Sequence, residues 1–270
     1  MNPFTKHIHF IWLQGVTDIP APLQPVPAAW KALHPNSLIH VWEEVGILNF
    51  IQHEYPQFLG FYQSIGTNDP FKSRMIKRCD FARVLLLYHF GGTYVDLDCI
   101  PHSSIDALVE SHALRHRKSP YSAIKGLAAR LEMSEPIERV DFRKYDVILN
   151  RECGPSHELY IKAGGGVIRH AISNAAMMAK PKSIFLLEFI GSMLARSQGP
   201  VLEFAGPWAL SKFLFASIQE KWTLGKVCVL PFYYFMWNEN SMGVPWRHSI
   251  SSHLNRMDWI DRSKRAGWLA

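Results

Sequence analysis

Along residues 72–90 apolar side chains recur at Met75, Ile76, Cys79, Ala82, Leu86 and Phe90, the three-and-four spacing that gives a helix one buried stripe. Gly91 and Gly92 follow at once. Glycine just past the last periodic turn ends a helix because it accepts positive φ. Thr93, Tyr94 and Val95 favour extended chain. Alternation then predicts a strand running on through the two aspartates, with Tyr94, Asp96 and Asp98 on one face and Val95 and Leu97 on the other. Upstream, residues 7–12 read as a first strand, 15–27 as a proline-rich loop, 28–33 as a helix with Pro27 at its start, 37–42 as a second strand, and 47–65 as helices divided by Pro56. Downstream, Pro101 stops the strand and Ser103-Ser104 can cap a short helix over 105–110, while 112–140 is a polar insertion with partial helix. Residues 172–178, 183–195 and Gly206-Pro207 through Ile218 are predicted helices, and 227–237 a strand running into an aromatic loop. Strands alternating with helices, without repeat or linker, predict a single α/β domain over 1–270.

Composition narrows the partners. At 48% hydrophobic and 19% charged the chain can build a substantial core and is not a disordered one. The net charge of +6 favours anionic partners such as nucleotides, phosphates or anionic lipid, so a peripheral membrane contact stays open. No basic run carries interleaved aromatics, which argues against nucleic acid; the densest one, Arg115-His116-Arg117-Lys118, reads as a solvated loop. The four cysteines show no CxxC pairing, and the amino terminus shows no signal peptide, so a reducing, cytoplasmic setting is expected. Segment 184–195 is apolar but short and broken by Glu188, which fits a buried helix better than a membrane span. Nothing in the pattern indicates an oligomeric state.

The chemistry concentrates at the aspartates. Two carboxylates on one strand face repel unless a cation sits between them, and Mg²⁺ or Mn²⁺ is the hard ion that carboxylates and phosphates bind jointly. Asp80 and Arg83 are spaced i, i+3 and face the same way. His7 and His9 alternate onto one face and read as strand-surface histidines. Gly164-Gly165-Gly166 lacks the surroundings of a phosphate loop. A metal-dependent phosphohydrolase would need further acidic or histidine ligands close by, and Cys99-Ile100-Pro101 supplies none. A non-catalytic carbohydrate- or nucleotide-binding protein is disfavoured because the motifs are intact.

The run CDFARVLLLYHFGGTYVDLDC resembles the DxD-containing core of the sugar-binding-region glycosyltransferases, the group that includes α-1,6-mannosyltransferases and capsular polysaccharide transferases, and the glucosyltransferase domain of the large clostridial toxins. Asp80 and Arg83 match its Asp-x-x-Arg, Gly91-Gly92 its turn, and Tyr94-Val95-Asp96-Leu97-Asp98 its Tyr-x-Asp-x-Asp. Looser matches are the opening strand ending at Trp12, Ser173-Asn174-Ala175, Gly206-Pro207, Pro231-Phe232, and His253 through Trp259, with Asp258 where serine is usual. The resemblance implies a GT-A fold, a mixed central sheet flanked by helices, and a retaining, metal-dependent hexosyltransferase. It would use a nucleotide-diphosphate sugar, UDP- before GDP-linked, and a glycan or protein acceptor, as in polysaccharide biosynthesis or an effector that modifies proteins. It further implies that Asp98 and Asp96, with His253 and Asp258, hold Mn²⁺ or Mg²⁺. Asp80, Arg83, Tyr94, Asp96 and Asn174 would serve the donor, Trp12 would stack on its base, and Asp80, Arg83, Asp96 and Asp98 would form the catalytic set.

Overall fold

The computed structural model describes residues 2–106, 142–151, 161–163, 166–168, 171–196, 199–220, 224–230, 234–235 and 249–253. Strand β1 (His7–Ile11) lies between two parallel neighbours, β2 (Leu38–Trp42) and β3 (Gly92–Val95). Helix α1 (Val26–Leu33) connects β1 to β2; α2 (Glu44–Glu54), α3 (Pro56–Ser64) and the long α4 (Phe71–Phe90) lead into β3. The short strand β4 (Cys99–Pro101) follows, then β5 (Val147–Arg151), the hairpin β6 (Ile161–Ala163) and β7 (Gly166–Ile168), and β8 (Ile172–Ala179). Helices α5 (Ile184–Leu194), α6 (Val201–Phe204) and α7 (Pro207–Gln219) precede β9 (Val227–Leu230) and β10 (Ser251–His253). The main sheet has six strands in the order β2-β1-β3-β8-β5-β9, with β8 alone antiparallel to its neighbours. This is the mixed sheet expected.

Helix α4 sets the geometry. From Asp80 to Leu87 every residue is buried, because the sheet covers one side and α5 and α6 the other. Burying Leu85, Leu86 and Leu87 is worth roughly 2 kcal/mol each. The helix ends at Gly91 (φ 66), whose N–H donates to the Leu87 carbonyl at 2.9 Å. Gly92 (φ 94) passes so close to β1 that a Cβ there would sit 2.2 Å from the His7 carbonyl oxygen. One apolar layer joins this helical face to the sheet; a second, built on Trp30, Phe10 and Phe235, fills the opposite face. Val201–Ile218 is, by length and hydropathy, apolar enough to cross a membrane, yet 56% of it is buried and Gly206-Pro207 splits it into α6 and α7.

Three expectations are corrected. Residues 172–178 are a strand, not a helix. Ala175, Ala176, Met177 and Met178 favour helix in isolation, but β8 is buried along its whole length between β3 and β5, so no polar alternation marks it as extended. The strand after Gly92 ends at Val95, not at the aspartates. Pairing with β8 stops at Val95 opposite Ala176, and Asp96 to Cys99 form a turn closed by the Cys99 N–H on the Asp96 carbonyl at 2.9 Å. His7 and His9 are buried, not on the surface. They point under Phe90 at the end of α4, where His40 of β2 stacks beside both. The insertion at 112–140, the triplet residues Gly164 and Gly165, and Pro231-Phe232 lie outside the described residues.

Candidate active site

The parallel strands all finish at one edge of the sheet, the edge where open α/β sheets bind ligands. Trp12 follows β1 there and the Asp96–Cys99 turn follows β3. Helix α4 begins at the same edge, which brings Asp80 and Arg83 over the turn. Strand β8 supplies the remaining side. Opposite β5 its register jumps from Met178↔Ile148 to Ser173↔Asn150, so residues 174 to 177 bulge from the β5 ladder while Ala176 and Met177 stay paired with β3. The bulge turns the Ala175 carbonyl onto the Asp96 N–H (2.7 Å) and the Asn174 carbonyl onto Arg83.

Arg83 is the centre of the resulting network. Its Nη2 lies 2.8 Å from Asp80 Oδ1, its Nη1 donates to the Asn174 carbonyl at 2.5 Å and lies 3.3 Å from Asp96 Oδ1, and its guanidinium sits 4.5 Å from the centre of the Tyr94 ring. Asn174 Nδ2 donates to Asp80 Oδ1 at 2.9 Å, and the Tyr94 hydroxyl donates to Asp96 Oδ1 at 2.5 Å. Burial pushes the Asp80 carboxyl up to about 7 despite the pull of Arg83, with the Asp96 charge adding to the push. Burial likewise raises Asp96, again against Arg83. The Arg83 guanidinium is held charged by Tyr94, Asp96 and Asp80, which outweigh its own burial. The tyrosine hydroxyl is held well above its ordinary range by burial. Asp80, Arg83, Tyr94, Asp96 and Asn174, five of the residues singled out in the sequence, are thus one connected unit.

Asp98 belongs to a second unit. Its Oδ1 lies 3.1 Å from His253 Nε2, because β10 pairs with β4 and carries the carboxy-terminal histidine to the turn. One ligand atom each from Asp98, Cys99 and His253 fall within 4.8 Å of one another. Donors this close converge on a single divalent ion with a small adjustment of their side chains. Asp96 stands outside it, engaged by Tyr94 and Arg83, so the two aspartates face different partners. Asp258 lies outside the described residues. Trp12 sits half-buried at the end of β1, its Nε1 buried without a hydrogen-bond partner among the described residues.

Sequence reasoning misses three residues. Lys77, one turn before Asp80 on α4, is buried, and its Nζ lies 2.5 Å from Asp69 Oδ2. Its i, i+3 spacing from Asp80 is a usable signal. Trp30 donates its Nε1 to the Cys99 carbonyl at 2.9 Å and so pins the aspartate turn to α1; no local pattern announces this. Cys99 itself reads in the sequence only as a break in the ligand pattern.

Residues 24–115 match the family model described as the glycosyltransferase sugar-binding region containing a DXD motif. The resemblance seen in the sequence is borne out over that stretch. Among curated proteins, inositol phosphoceramide mannosyltransferase 2 of Schizosaccharomyces pombe is 32% identical over 104 residues, 38% of this chain and 28% of that protein. Mannosyl phosphorylinositol ceramide synthase SUR1 of Saccharomyces cerevisiae is 30% identical over 104 residues, 36% of this chain and 25% of that protein. The matches therefore span under a third of these relatives' length. Of solved structures, the PaToxG glycosyltransferase superposes with a TM-score of 0.51 at 15% identity, covering 80% of this chain and 70% of that one. The fold is the GT-A glycosyltransferase fold.

Proposed function

We propose that this chain is a metal-dependent, retaining glycosyltransferase that moves a hexose from a nucleoside-diphosphate sugar to a glycan or protein acceptor. The observation that carries the reading is the pairing of two units at one sheet edge: an Asp80–Arg83–Asn174 network, buried and joined to the half-buried Asp96, beside an Asp98–His253 ion site. The DXD region supports glycosyl transfer, and the mannosyl names of the curated relatives support a hexose.

Each residue has a task in this mechanism. Asp98 and His253 hold the divalent ion, which when bound supplies positive charge to the departing diphosphate. Arg83, fixed on three sides, offers its planar fork to the sugar–phosphate end of the donor. Asp80 and the Asn174 amide accept and donate hydrogen bonds at the sugar hydroxyls, and Trp12 stacks on the base with its indole N–H free to find a partner there. Asp80 is committed to Arg83 and Asn174, and Asp96 to Tyr94 and Arg83. Neither is disposed to form a covalent glycosyl intermediate. The acceptor then attacks from the face the diphosphate leaves, which retains the anomeric configuration.

The test is donor turnover. With Mn²⁺ and a panel of UDP-, GDP- and ADP-hexoses, the protein should release nucleoside diphosphate from one base class, and the product glycoside should keep the donor's configuration. EDTA and Asp98→Asn should each abolish release while the circular dichroism spectrum stays that of the folded chain. Undiminished release in either case would overturn the metal role, and absence of release with every donor would overturn the reading itself.

A further inference from the structure

Strands β4 and β10 pair antiparallel with His253 directly opposite Cys99. Residues directly opposite in an antiparallel ladder project from the same face. The thiol and the imidazole therefore stand side by side by backbone register, not by a chance choice of rotamer. Asp98 is the chain neighbour of Cys99, and its carboxylate already meets His253 Nε2 at 3.1 Å. The Cys99 sulfur, the Asp98 carboxylate and the His253 imidazole each offer an atom within 4.8 Å of the other two. Cys99 has no exposed surface, and its Sγ lies 3.9 Å from the Ala175 carbonyl. The carboxylate and imidazole are partly open, with side-chain exposures of 16% and 11%, so an ion reaches the sulfur from their side.

We propose that Cys99 is a third protein ligand of this ion site, and that its sulfur makes the site favour thiolate-binding ions, Zn²⁺ and Co²⁺, over Mn²⁺ and Mg²⁺. The inference rests on the reading that Asp98 and His253 hold the divalent ion. Oxygen and nitrogen donors alone suit hard ions and leave selection to availability, whereas a sulfur donor adds strength for softer ions that already bind more tightly in the divalent series. Ligation breaks the S–H bond, forms the metal–sulfur bond and releases the proton to solvent.

Cobalt tests this without reference to activity. Co²⁺ added to the full chain should give visible ligand-field bands together with a thiolate-to-cobalt charge-transfer band in the near ultraviolet. Cys99→Ser should keep the visible bands and lose the ultraviolet one, with Cys79, Cys153 and Cys228 left in place as an internal control. In competition with a chromophoric chelator, Zn²⁺ affinity of Cys99→Ser should fall by at least the roughly 10–100-fold that loss of a mere outer-shell partner costs. Mn²⁺ affinity should change far less. Visible bands without a charge-transfer band in the unaltered protein overturn the sulfur ligand and leave the Asp98–His253 site standing. A charge-transfer band that survives Cys99→Ser assigns it to another cysteine and overturns the proposal as well. No binding of Co²⁺ or Mn²⁺ at all overturns the ion site with it. The first readout needs only the unaltered chain, so a variant that folds poorly does not shield the proposal.

Discussion

At the scale of single residues, Arg83 decides most of the site's energetics. It is buried, and among the described residues it is the cation that reaches both the buried Asp80 carboxylate at 2.8 Å and the half-buried Asp96 carboxylate at 3.3 Å. Removing one partner of a buried pair leaves an uncompensated charge, which costs about 3–5 kcal/mol. Arg83→Met should therefore lower the urea midpoint by an amount in that range, lessened to the extent that Asp80 takes up a proton, as its carboxyl is already pushed up to about 7. Arg83→Lys should recover part of the stability and none of the donor binding, because a point ammonium cannot span Asp80, Asp96 and the Asn174 carbonyl as the guanidinium fork does. Equilibrium denaturation and nucleoside-diphosphate titration separate the two effects. Donor binding restored by Arg83→Lys would mean that charge alone, not the fork, is what the site uses. Much of this unit was legible in advance, because Asp80 and Arg83 face one way on a helix and the aspartates follow a glycine stop. That Tyr94 turns inward to hold Asp96, and that Asp96 and Asp98 part company, depends on a turn whose position local residues do not mark.

At the scale of elements, the glycines separate rigid joints from slack ones. Gly92 cannot take a side chain: its φ is 94, and a Cβ would meet the His7 carbonyl oxygen at 2.2 Å. Gly92→Ala should leave little folded protein, since the clash is with the backbone of the neighbouring strand. Gly60 lies inside α3, and a methyl group added there would meet nothing within 4 Å, so Gly60→Ala should stabilise by about 0.5–1 kcal/mol through helix propensity. Thermal melts of the two variants read both outcomes, and a destabilised Gly60→Ala would mean that α3 needs its glycine for something other than packing. The glycine stop was readable because φ and helix length are local properties. Strand β8 was not, because Ile172–Ala179 carries helix-favouring residues and owes its extended form to β3 and β5, its neighbours on either side in the sheet and distant in sequence. The same distance hid the role of β10, which brings His253 to Asp98 from 155 positions away along the numbering, 253 against 98.

At the scale of the whole molecule, burial of histidines makes stability depend on pH. His9 has no exposed surface; its Nε2 lies 3.0 Å from the Gly91 carbonyl, and its Nδ1 accepts from Trp42 Nε1 at 3.2 Å, which fixes the neutral ring with its proton on Nε2. Burial lowers its pKa from 6.5 to about 3. Below pH 6.5 the unfolded chain therefore binds a proton that the folded chain refuses, and stability falls by about 1.4 kcal/mol per pH unit for this one residue until about pH 3. By pH 5 that is a loss of about 2 kcal/mol. His7, His34, His40 and His89 are lowered by burial as well and act in the same direction. Asp80 and Asp96, raised by burial, act in the opposite one: they protonate in the folded chain first, which adds stability as the pH falls through about 7 for Asp80. Between about pH 7 and 5 the gain at Asp80 offsets the loss at His9, and the four other histidines against Asp96 leave the molecule weaker in acid. The urea midpoint should fall between pH 7.5 and pH 5, and His9→Gln, whose amide can still donate to Gly91, should lower stability at pH 7.5 but flatten the acid limb by close to one proton's slope. An acid limb as steep in His9→Gln as in the unaltered chain would show that His9 already carries its proton in the fold, and that the joint between β1 and the end of α4 is more open to water than its packing against Phe90 and Trp42 implies.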